Sequence, residues 1–155
     1  MSTSIPALHV SSSSKVSGSG EVFIQSRQSG GNAGIFKISV TAQFLPPADA
    51  YPTGNIRISV DLFDSAKGTF ISDNIELINS HGKYNPTVFL TGRCKDDIQP
   101  DAVGCRYWLM IANNKKANEQ GTPDVVSFTI HDNAGNRIAY GTGPLRSGDF
   151  DVDPR

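Results

Sequence analysis

Residues 36–44 read F-K-I-S-V-T-A-Q-F, with Phe36, Ile38, Val40, Ala42 and Phe44 alternating against Lys37, Ser39, Thr41 and Gln43. Successive side chains of a β-strand point to opposite faces, so this alternation describes a strand with one buried and one wet face. Residues 56–62 repeat the pattern, with Ile56, Ile58, Val60 and Leu62 set against Arg57, Ser59 and Asp61. Val126, Phe128 and Ile130 do the same against Ser127, Thr129 and His131. Weaker strands are expected over residues 22–27, 74–79, 87–93 and 137–141. Residues 106–112, R-Y-W-L-M-I-A, are apolar on both parities, which predicts a central strand.

The segments between these runs carry turn chemistry: Gly30-Gly31-Asn32, Pro46-Pro47, Tyr51-Pro52, Lys67-Gly68, His81-Gly82 and Asn85-Pro86. Asn133-Ala134-Gly135-Asn136 lies between two strands and predicts a hairpin tip. No apolar stripe of helical period runs for ten residues, so helix is confined to a turn or two within residues 114–120. An antiparallel sheet of about eight short strands must cover its apolar face. The expected fold is therefore an all-β, antiparallel two-sheet sandwich of jelly-roll or Ig-like Greek-key topology, with little or no helix.

The 155-residue chain fits one domain able to bury its own core. Residues 11–20, S-S-S-S-K-V-S-G-S-G, are of low complexity. They divide the chain into a flexible N-terminal arm, residues 1–20, and a single sandwich domain, residues 21–155. Ile5, Leu8 and Val10 give the arm an apolar patch that can dock on its own domain or on a neighbour. Fourteen basic against fifteen acidic residues leave a net charge of −1 without a run of either sign, which argues against nucleic-acid binding. No apolar run approaches the length of a membrane span, and the first ten residues lack a secretory leader's pattern.

Cys94 and Cys105 sit at the end of one expected strand and the start of the next. A hairpin would bring them within bridging distance; reduced thiols are the alternative, and their spacing fits neither a zinc nor a redox motif. His9, His81 and His131 are scattered and form no ligand or catalytic pattern. The chain is accordingly read as no enzyme and as holding no cofactor. Calcium is the one exception considered. Asp132-Asn133-Ala134-Gly135-Asn136, Asp149, Asp151 and Asp153 offer oxygen donors, though turn chemistry explains the first group better.

Trp108, amid Leu109, Met110 and Ile111, is expected in the core, whereas Tyr51, Tyr84 and Tyr140 adjoin turns or strand ends and suit exposed stacking. Asn79, His81, Tyr84 and Asn85 form the candidate ligand-binding group, in a loop rich in hydrogen-bonding side chains. The resulting expectation is a non-catalytic, lectin-like or surface-binding module that works through the end loops of the sandwich, with a glycan or protein partner. The alternative is a structural subunit of a particle or multi-protein assembly, of virion or injection-machine type, homo-oligomeric and using the N-terminal arm. Fold class does not choose between the two.

Overall fold

The computed structural model describes residues 13–24, 34–62, 67–82, 86–96, 104–115 and 120–154. All its regular structure is β. The strands are β1 (Ser14–Ile24), β2 (Gly34–Phe44), β3 (Thr53–Leu62), β4 (Lys67–Ser72), β5 (Leu77–His81), β6 (Thr87–Asp96), β7 (Cys105–Ala112), β8 (Val125–Asp132) and β9 (Arg137–Pro154). Every pairing is antiparallel. Only part of the expected helical turn at residues 114–120 falls among the described residues, and that part is not helical.

The expected two-sheet sandwich gives way to a closed eight-stranded barrel. The sheet runs β4-β3-β2-β1-β9-β8-β7-β6-β5, and β4 returns to pair with β6. β4 and β5 occupy one position in the wall, because β6 pairs with β5 over Thr87–Thr91 and with β4 over Cys94–Asp96. Neighbours in sequence are neighbours in space, so the topology is an up-and-down meander with no Greek-key crossover. Irregularities interrupt the regular ladders. Val22 faces Leu145 while Glu21 faces Ser147, a register shift that lets the 18-residue β9 serve β8 with its first half and β1 with its second. Between β4 and β5 the ladder is bridged by Asp73 N–H to Arg93 O and Glu76 N–H to Thr91 O, both 2.8 Å.

Alternation in the sequence becomes inside and outside in the barrel. Phe36, Ile38, Val40, Ile56, Ile58, Val126, Phe128 and Ile130 are buried in one core. The Phe36 and Phe128 rings, from opposite walls, meet edge-to-face at 4.7 Å and fill the interior. Inward-facing Tyr107 donates its hydroxyl to the Asn74 carbonyl at 2.8 Å, tying β7 to the β4–β5 break. Burial pushes that hydroxyl well above its ordinary acidity range, so it remains a donor. Gly92 makes the contact possible, since a Cβ there would strike both the Asn74 carbonyl and the Tyr107 hydroxyl.

The division into arm and domain at residue 20 is also corrected. Ser14 to Gly20 belong to β1, hydrogen-bonded to β2 on one side and β9 on the other. The tract looks like a linker because it is built of Ser and Gly, yet Gly18 is required by packing. Its φ is 143°, and a Cβ would collide with the Asp149 carbonyl and with Phe150. Residues 1–12, including the apolar patch at Ile5, Leu8 and Val10, lie outside the described residues.

Val40→Asp places an unpaired carboxylate among Phe36, Ile38 and Ile56 and should cost several kcal/mol in chemical denaturation. Lys37→Asp, at an exposed position of the same strand, should change stability by less than about 1 kcal/mol. Similar losses from both would refute the register.

Candidate functional site

The outer face of β5 to β9 differs from the rest of the exterior. Ladder register sorts its side chains into lateral rows. One row runs Leu77, Thr91, Trp108, Thr129 and Tyr140 across five strands. The next, one pleat step away, runs Asn79, Phe89, Met110, Ser127 and Thr142. Between them lies a groove of about 440 Å³ that also reaches His81.

Trp108 is 51% exposed and Phe89 45% exposed, unusual for aromatic rings in mid-strand. The expectation that Trp108 sits in the core is thus overturned. Cys105, Tyr107, Leu109 and Ile111 take the inner parity of β7, which leaves Arg106, Trp108 and Met110 outside. The strand is apolar on both parities because one face lines the core and the other lines the groove. The disulfide parity carried that signal: with Cys94 and Cys105 facing each other inside, each second residue from Cys105 is inward.

Of the sequence-selected group, Asn79 and His81 lie on β5 and line the groove beside Phe89. Tyr84 and Asn85 fall outside the described residues. Tyr140 adjoins the groove through Thr129, whereas the exposed Tyr51 is on the β2–β3 connection, apart from these strands. Polar side chains frame the groove. Thr91 Oγ1 donates to the Tyr107 carbonyl at 2.8 Å, and the Ser127 and Thr142 hydroxyls are 2.7 Å apart.

A third row, on the other side of Trp108, carries three guanidinium cations and an imidazole: Arg93, Arg106, His131 and Arg137 are successive ladder partners on β6, β7, β8 and β9. Arg137 joins it through a bulge. Ile130 pairs with Ala139 but His131 with Arg137, so Ile138 is an extra residue that changes the aim of the strand. The Arg137 guanidinium then covers the Tyr140 ring at 3.8 Å from its centre. Arg106 pairs with Glu76, its Nη2 2.7 Å from one carboxylate oxygen and 3.1 Å from the other. Next to this row Cys94 and Cys105 are joined by a disulfide with a Cα separation of 4.8 Å, locking β6 to β7.

Two further carboxylates, Asp132 and Asp124, are used structurally. Asp132 Oδ1 accepts from Ala134 N–H and Asn136 N–H at 2.9 and 2.8 Å, closing the β8–β9 turn, with Gly135 at φ 88°. These bonds, led by that from Asn136, hold its carboxyl below the ordinary range. That is the turn chemistry expected there. Asp124, nearly inaccessible, accepts from the N–H groups of Asn114, Lys115 and Phe150 at 2.9, 3.1 and 3.0 Å, which fastens the β7–β8 connection to β9. Asp149 lies against it, and partial burial followed by the Asp124 charge raises the Asp149 carboxyl above its ordinary value. Among the described residues, no three His, Cys, Asp or Glu side chains are grouped to hold a metal.

Two measurements test this placement. As the sole tryptophan, Trp108 reports the groove directly: its emission should be red-shifted and readily quenched by acrylamide in the native protein, and a blue, shielded emission would contradict the exposed position. For Asp149, the folded carboxyl binds its proton more tightly than the unfolded one, so its contribution to stability falls as pH rises above its ordinary value of 3.8. Asp149→Asn should therefore raise the melting temperature at pH 7 and have little effect near pH 3, where both forms are uncharged.

No protein-family model, curated protein or solved structure compared with this chain matches it, so the reading of the groove rests on its own geometry.

Proposed function

We propose that this protein is a non-catalytic recognition module that binds a saccharide in the groove of β5 to β8, with Trp108 as its stacking platform. The observation that carries the reading is the pair of half-exposed aromatic rings, Trp108 and Phe89, on a rigid barrel wall among uncharged hydrogen-bonding groups. A sugar ring offers an apolar C–H face to an aromatic ring and a rim of hydroxyls to polar side chains. Trp108 supplies the first, and Asn79, Ser127 and Thr129 supply the second. The working surface in this reading is a sheet face rather than the end loops.

Rigidity supports it further. Thr91, buried beneath the groove, is tied to β7, and the disulfide fixes the same two strands. Little order is then lost on binding, which conserves affinity in a shallow site.

Trp108→Ala should weaken oligosaccharide binding by about tenfold or more, equivalent to ~1.4 kcal/mol. Its cost in stability should stay well below the ~3–5 kcal/mol typical of truncating a core tryptophan. A glycan screen followed by calorimetry on the full chain and the variant tests this. A blank screen, together with a defined oligomer in which Trp108 is shielded, would replace the saccharide with a second copy of the chain and favour the assembly role.

A further inference from the structure

We infer that the bound saccharide is anionic and that Arg93 and Arg137, with His131, read its negative charge beside the Trp108 platform. This rests on the saccharide reading above and adds the ligand's charge to it.

The cationic row is built against a cost. Arg93 faces Arg106 as a direct cross-strand partner, an arrangement in which like charges repel. One carboxylate, Glu76, relieves it, and Glu76 is engaged by Arg106 at 2.7 Å. Lys95 and Asp73 offset each other at 3.8 Å, while Asp132 is turned into its own hairpin. Among the described residues, Arg93 and Arg137 have no carboxylate partner. Among the described residues, two guanidinium groups without a carboxylate partner thus stand along one edge of the aromatic groove.

Position matches this use. The cationic row is one pleat step, ~7 Å, from the Trp108 row. A sugar stacked on Trp108 can therefore direct an exocyclic carboxylate or sulfate towards the guanidinium groups. Arg137 is held over Tyr140, so its fork is oriented before the ligand arrives. Guanidinium is the side-chain group best shaped for two parallel hydrogen bonds to a carboxylate or sulfate. Among the described residues that line the groove none is acidic, lysine or arginine, so charge is read at one edge. Single-stranded nucleic acid, which carries a phosphate at every nucleotide, calls for cations along its whole track.

The test uses the full chain, calorimetry at low salt, and two matched pairs of probes. These are tetragalacturonate with its carboxyl-reduced counterpart, and a chondroitin sulfate tetrasaccharide with its desulfated, carboxyl-reduced counterpart. At least one acidic member should bind about tenfold more tightly than its neutral partner. Combined Arg93→Ala and Arg137→Ala should remove most of that preference by weakening the acidic member far more than the neutral one, whereas Trp108→Ala should weaken both members. Equal binding within each pair would overturn the charge reading and leave saccharide recognition standing. Binding of neutral sugars alone in a wider screen would do the same. Failure of every sugar to bind would overturn both readings. A thymidine oligonucleotide bound more tightly than any acidic sugar would replace the saccharide with nucleic acid.

Discussion

The structure depends on one constraint: a sheet wide enough to bury this much apolar surface must dispose of its edges. Unpaired strand edges expose backbone donors and acceptors and invite association. Here the edges are removed by pairing β4 to β6 through Phe70, Ile71 and Ser72, opposite Asp96, Lys95 and Cys94. That short seam is reinforced from within by the Tyr107 hydroxyl on Asn74, from the backbone by Asp73 and Glu76, and covalently by the bridge between Cys94 and Cys105. The seam lies beside the cationic row, so the devices that close the barrel also hold Arg93 and Arg106 in place.

Closure divides the molecule into a filled interior and a working exterior. With Phe36 against Phe128 at the centre, the barrel is a scaffold rather than a container. The exterior of β1 to β3 carries Lys37, Ser39 and Arg57 in the manner of an ordinary solvated sheet. The exterior of β5 to β8 instead concentrates aromatic, aliphatic and hydroxyl groups in adjacent rows. Exposed aromatic rings on a wall stiffened by a disulfide lose little entropy on binding, which makes this face suited to recognition.

The polar groups at the barrel ends serve the scaffold. Asp124 draws the β7–β8 connection onto β9, and the buried hydroxyls of Ser14 and Ser80 meet at 2.7 Å where β1 approaches β5. Asp132 closes the β8–β9 turn. Asp132 stood out in the sequence as an oxygen donor for a metal; in the fold its Oδ1 accepts from backbone N–H groups of the turn, and Asp124 serves buried amides in the same way.

Read alone, the sequence was enough to determine the β class, the antiparallel pairing and most of the core. A two-residue period needs no tertiary information: Ile38, Val40, Ile58 and Phe128 are inward because their neighbours are polar. The cysteine hairpin and the Asn133–Asn136 tip were legible for the same local reason. What period two cannot express is which strands lie side by side, because hydrogen-bond partners are chosen across the chain. Hence sandwich and barrel look alike until β4 meets β6, and the Ser-Gly tract of β1 resembles a linker until β9 packs on Gly18. Trp108 shows the same limit at the site. On a strand apolar at both parities, periodicity alone does not say which face is inside. The row of Arg93, Arg106, His131 and Arg137, spread over some 45 positions of sequence, exists only through the register of four strands.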